Sequence, residues 1–184
     1  RLFVDPGGLI NLRDALVDNW SVFQSDIAIK NFKKMVKSLS SKWRSPNSHI
    51  DHSIYLGKEF INKSNDYLDK LINLHYKGIW YGIDNICIRQ LHKIPFVYKN
   101  RLFTKPMYIS NKFSASEFNK LTYDYVKKMI YYCLNKEEKQ HFCFNENLSC
   151  MFPEKILNMV PGAKIINIIR DPKDVYADSV RVKW

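Results

Sequence analysis

Glycine and proline are sparse in this chain, at 6 and 7 of 184 residues. That excludes a collagen-like or linker-like polymer. Long apolar runs are missing too. No stretch of about 18 apolar residues occurs, so no segment reads as a membrane span. The opening Arg1 to Gly8 lacks the apolar run of a signal peptide. Cysteine is scarce and unpatterned: Cys87, Cys133, Cys143 and Cys150 include no C-x-x-C pair and no metal spacing. No metal is expected. Cys133 falls in an apolar helical pattern and Cys87 lies between Ile86 and Ile88. Both read as buried free thiols, which suits a reducing, cytoplasmic compartment, although spacing alone leaves a disulfide open. RNP motifs and Cys/His fingers are absent, which makes nucleic acid a disfavoured partner.

What is present is apolar and aromatic material, 46% and 14% of the chain. A disordered chain would be poorer in both, so the length reads as one domain, or one and a half, with a core. Lysine and arginine outnumber the acids by 29 − 18, a net charge of +11. The resulting field suits nucleic acid, an anionic membrane face or a small polyanionic ligand. The densest cluster is Lys30, Lys33, Lys34 and Lys37. On a helix these residues make a solvated face opposite Ala28, Phe32, Met35, Val36 and Leu39.

Pro6-Gly-Gly8 predicts a turn, followed by a helix over 9–18. Ser25 predicts the N-cap of a second helix that ends in the polar stretch 40–48. A third helical region spans 55–76, with Ser64 as a cap for its second half. Residues 79–112 are broken by Pro95 and Pro106, with a short helix over 83–91. Ser114-Ala-Ser-Glu117 is a capping box, opening a helix that carries Phe118, Leu121, Tyr125, Met129 and Cys133 and ends near Asn135. Beyond Gln140 the pattern changes. Phe142-Cys-Phe144 reads as a buried strand, Pro153 opens a short helix through Met159, and Pro161-Gly162 is a turn. Lys164-Ile-Ile-Asn-Ile-Ile169 reads as a strand apolar on both faces, and a helix starts at Pro172 or Lys173. Strand, helix, strand, helix predicts an α/β unit with a parallel sheet.

Arg170 falls at the expected end of that strand, just before a helix N-terminus. Ligands of open α/β sheets bind outside the carboxyl ends of strands, and free helix N–H groups attract anions. Arginine adds a planar, permanently charged fork suited to phosphate or sulfate. Asp174 can serve the first-turn N–H groups. The competing reading is an Arg–Asp pair that only fixes a turn.

The wording of residues 152–176, from Phe152-Pro-Glu-Lys through Pro161-Gly-Ala-Lys to Arg170-Asp-Pro-Lys-Asp-Val-Tyr176, resembles the second nucleotide motif of the sulfotransferase family. Phe3-Val-Asp-Pro-Gly-Gly-Leu9 and Asp14-Ala-Leu-Val-Asp-Asn-Trp-Ser21 are similar to the region after the first motif in bacterial-type members. The resemblance implies a P-loop-like α/β fold with a large, mostly helical insertion. It implies one partial domain over 1–184. Within it, 1–40 follow the first motif, 41–140 form the insertion on the acceptor side, and 141–184 carry the 3′-phosphate motif. The donor substrate it implies is 3′-phosphoadenosine 5′-phosphosulfate, with a sulfuryl group passing in line to a hydroxyl or amine of a small molecule or glycan. Arg170 and a helix serine, here Ser179, would bind the 3′-phosphate.

Two departures stand out. The family's serine position carries Asp178, and Ser179 is one residue on, a turn of about 100° around a helix. The first motif, a P-loop-like strand–turn–helix, is absent from residues 1–184. The chain also opens on Arg1 rather than Met and stops at Trp184 within a helical pattern, so it reads as a piece of a longer protein. No general base is assigned. Asp5 reads as a turn cap, His49 and His52 as loop residues, and His75 and His92 as packed structural residues. His141 precedes an expected strand, and Glu146 lies near the position of a family glutamate. The alternative to an enzyme is a basic, non-catalytic binding module for nucleic acid or another polyanion.

Overall fold

The computed structural model describes residues 6–40, 53–80, 104–137, 141–143, 151–166 and 169–181. Six helices and one two-stranded ribbon account for their regular structure: α1 (Pro6–Arg13), a π-helical turn (Asp14–Asp18), α2 (Val22–Ser40), α3 (Ser53–Leu71), β1 (Leu74–Gly78), β2 (Lys105–Ile109), α4 (Ala115–Glu137), α5 (Pro153–Met159) and α6 (Pro172–Arg181).

The core is helix on helix. Apolar residues at helical spacing on α2 (Ala28, Ile29, Phe32, Val36) meet Phe60, Leu68 and Leu71 of α3 and Phe118, Val126 and Met129 of α4. Leu9, Leu12 and Leu16 close one side, and Met159 of α5 joins them. Burying each such side chain contributes about 1.5–3 kcal/mol. Tyr67 and Tyr125 stack with centroids 4.5 Å apart, and Phe32 meets each edge-on. Their hydroxyls stay dry but partnered. Ser64 Oγ bonds Tyr125 OH at 2.8 Å, and Tyr67 OH bonds Thr122 Oγ1 at 2.8 Å. Burial pushes both phenols well above their ordinary range, only partly offset by these bonds. Ser64 is therefore a mid-helix core residue, not the cap its position suggested. The α3 helix bends instead at Gly57, whose φ of 51° only glycine adopts without strain.

The capping box forms as written: Ser114 N–H donates to Glu117 Oε2 at 3.1 Å, and Glu117 N–H donates to Ser114 Oγ at 3.3 Å. The Ser114 hydroxyl, donating to Glu117 Oε2 at 2.6 Å, and then the Ser114 N–H hold the Glu117 carboxyl below its ordinary value. Two other starts move. Pro6-Gly-Gly8 begins α1 rather than a turn, and Gly8 leaves room for Met35, whose sulfur would lie 2.7 Å from an added Cβ. The second helix is capped by Ser21, whose Oγ accepts from Gln24 N–H at 3.1 Å. Ser25 is a buried residue one turn further in.

The expected parallel α/β sheet is not formed among the described residues. Among the described residues the sheet has two antiparallel strands, β1 and β2, in the register His75 to Tyr108. A strand apolar on both faces needs neighbouring strands for its N–H and C=O groups and helices over both faces. Residues 163–166, 169 and 170 have neither and adopt no regular structure. Ile166 and Ile169 are 86% and 89% exposed. The segment 141–143 is likewise irregular, with Cys143 exposed, so no buried strand forms there. Cys133 is a buried thiol, as its helical position predicts. The proposed helix over 83–91, together with Asp5, His49, His52, Cys87, His92, Glu146 and Cys150, lies outside the described residues.

Candidate functional site

Arg170 precedes the first residue of α6, and Ser179 lies in its last turn. Pro172 supplies the fixed φ of the first helical position, and Asp171 caps it: its Oδ1 accepts from Lys173 N–H at 2.8 Å. Asp171, not Asp174, thus takes the first-turn N–H. Arg170 Nη2 donates to Asp178 Oδ2 at 2.8 Å, and Arg181 Nη2 lies 3.1 Å from Asp178 Oδ1. The Asp178 hydrogen bond and charge raise Arg170 further above its ordinary value. Ser179 Oγ donates to Val175 C=O at 2.8 Å, a bond within its own helix. The structure therefore brings Arg170 to Asp178, not to Ser179. The competing sequence reading of an Arg–Asp pair applies, but its partner is Asp178 rather than the adjacent Asp171.

A second cluster joins the π-helical turn to α5. Lys155 Nζ, from the Phe152-Pro-Glu-Lys run, donates to Asp14 Oδ1 and, at 2.9 Å, to Asp18 Oδ2. Arg13 Nη1 bonds the same Asp18 oxygen at 3.2 Å. The π-helical turn closes with Asn19 N–H donating to Asp14 C=O at 2.7 Å. Desolvation pulls Asp18 upward, but the Lys155 hydrogen bond and the Arg13 charge outweigh it and hold the carboxyl below its ordinary value. The Asp14 and Asp18 bonds raise Lys155. Both carboxylates are committed to cations, so neither is placed as a general base.

Sequence reasoning missed Asp26. It is fully buried on α2 and accepts from Lys30 Nζ at 2.6 Å, Trp80 Nε1 at 2.6 Å and Tyr108 N–H at 2.8 Å. Beside it, Lys33 Nζ lies 4.1 Å over the Tyr108 ring, and His75 stacks on that ring at 4.9 Å. Lys30 and Lys33 are thus engaged with the protein itself, while Lys34 and Lys37 face solvent as a charged helical face should. His75 is exposed on β1, with its ring against Tyr108, rather than buried in apolar surroundings. The signal for Asp26 was available only as an acid placed on the apolar side of a helix pattern. Among the described residues, no group of three or more His, Cys, Asp or Glu converges as a metal site, and no helix is long and apolar enough to cross a membrane.

These features define the class: an α-helical protein with a small antiparallel ribbon and a terminal helix whose start carries an arginine fork. No protein-family model matches the chain, and no curated protein or solved structure matches it.

Proposed function

We propose that this chain carries the 3′-phosphate side of a sulfotransferase donor site. In this reading the protein is a cytoplasmic enzyme that uses 3′-phosphoadenosine 5′-phosphosulfate to sulfate a hydroxyl or amine, a glycan being one acceptor class. The observation that carries the reading is the placement of Arg170 directly before the capped start of α6, with its guanidinium in solvent reach. A permanently charged fork open to solvent is suited to a phosphomonoester. The Lys155 contact adds support by joining residues 14–18 to 155, the two stretches whose wording resembles the family.

Chemically, in-line sulfuryl transfer asks for positioning and charge stabilisation more than for covalent help. Arg170 would fix the nucleotide by its 3′-phosphate, remote from the transferring sulfur, so that binding energy orients the donor. The resemblance does not extend to a parallel sheet, and the reading does not rest on one. Calorimetric titration of 3′-phosphoadenosine 5′-phosphate into the intact protein tests it, with adenosine 5′-phosphate as control. Micromolar binding of the first, weak binding of the second, and a loss of about tenfold or more in Arg170→Ala are expected for a charge-assisted phosphate contact. An Arg170→Ala affinity within twofold of wild type removes the residue from the site. Oligonucleotide binding with a steep salt dependence, and no nucleotide binding, would replace the enzyme by a polyanion-binding module.

A further inference from the structure

We propose that Arg170 and Arg181 form one anion-binding fork and that Asp178 occupies it as a built-in competitor of a phosphomonoester. This rests on the donor-site reading above and adds to it a second cation and a controlling carboxylate. One carboxylate spans two guanidiniums: Asp178 Oδ2 takes Arg170 Nη2 at 2.8 Å and Oδ1 takes Arg181 Nη2 at 3.1 Å. The arginines come from opposite ends of α6, Arg170 before its first residue and Arg181 in its last turn. They meet at the two Asp178 oxygens. That position matches the needs of a phosphomonoester, which offers more oxygens than a carboxylate and about twice its charge.

The competitor is weakly held. Side-chain exposure is 54% for Arg170, 42% for Asp178 and 78% for Arg181, so water and salt screen both pairs. A dianion arriving from solvent can take the two guanidiniums from Asp178, which then stands beside it as a repelling charge that weakens binding. Ser179 does not supply the second contact, because its hydroxyl is spent on Val175 C=O. Arg181 supplies it.

The test is titration of 3′-phosphoadenosine 5′-phosphate into the intact protein at fixed ionic strength, with circular dichroism confirming that each variant folds. Asp178→Asn removes the competitor. Asp174→Asn is the matched control, since Asp174 acts on Arg170 through its charge without a hydrogen bond to it. Asp178→Asn is expected to tighten binding about tenfold, and Asp174→Asn less than about threefold, because only the first frees both forks. Arg181→Ala in the Asp178→Asn background is expected to return about fivefold or more of the gain. Equal effects of the two Asp→Asn changes, or no effect of Arg181→Ala, overturn the fork. If wild type binds in an Arg170-dependent way and Asp178→Asn binds no tighter, the fork fails while the donor-site reading stands. If neither wild type nor Asp178→Asn binds, both fall.

Discussion

Replacing Asp26 by alanine removes one acceptor that three donors share, and the loss is set by what each donor can find instead. The Tyr108 N–H sits at a part-buried position, and leaving such a donor unpaired costs about 1–3 kcal/mol. Lys30 is different. Its side chain is 29% exposed, so its ammonium regains water, and the 3–5 kcal/mol typical of breaking a fully buried pair is an upper bound here. Taken together, Asp26→Ala should destabilise the protein by about 3 kcal/mol. At roughly 2–4 °C per kcal/mol for a chain of this size, Tm falls by about 6–12 °C. Lys30→Met should cost less, about 1 kcal/mol, because Asp26 keeps the Trp80 indole and the Tyr108 N–H. Urea unfolding followed by circular dichroism gives both values. Tryptophan fluorescence gives a local readout, since Trp80 bonds Asp26 and Trp20 Nε1 donates to Ser110 C=O on the same side of the ribbon. An Asp26→Ala loss below about 1 kcal/mol, or a larger loss from Lys30→Met, would refute the reasoning.

Other expectations follow the same logic. Tyr125→Phe strips Ser64 of a buried partner and should cost about 1–2 kcal/mol, whereas the Tyr125→Phe, Ser64→Ala pair should recover part of that in a double-mutant cycle. Asp18, held below its ordinary 3.8, contributes stability that is present above that value and drains away as pH falls through the folded one; Lys155→Met should flatten this acid limb in thermal melts below about pH 4, by no more than about 0.5 kcal/mol because the cluster is partly exposed. The raised Lys155 acts at the other end, its contribution persisting below 10.5 and fading only as pH climbs past the folded value. Leu71→Ala, at a site with no solvent exposure, should cost about 2–5 kcal/mol by denaturant titration.

The helices were legible where their own residues specify them. Ser114 and Glu117 announce α4, Pro153 announces α5, and the spacing of Ala28, Phe32 and Val36 announces α2, because caps and apolar stripes act over one or two turns. The ribbon was not legible. Leu74-His-Tyr-Lys-Gly78 shows no clean alternation, and its pairing with 105–109 is a contact between segments distant in sequence, invisible to any local pattern. Ser25 and Ser64 sit inside helices as polar residues with partners on other elements, so their short-range capping preference misled. The isoleucines of 164–169 misled in the opposite sense. Their apolar run resembles a buried strand, but a strand exists only through its ladder. At the candidate site, Arg170 before a helix start was readable. Its capture by Asp178 was not, because seven residues intervene and the arginine itself lies outside the helix.

The Asp26 junction has a bearing on how this molecule avoids sticking to others. A two-stranded ribbon has two open edges, and an open edge recruits further strands. The N–H of Tyr108 on β2 and that of Ser110 just past its end are received by Asp26 Oδ1 and Ser25 Oγ, both side chains of α2. The helix stands where a third strand would, and it offers isolated acceptors rather than a continuing backbone. Addition of strands on that side therefore ends at α2. Loosening Asp26 would uncover that edge along with Met107, so a variant there should be judged by its tendency to form β-rich aggregates as well as by its melting point.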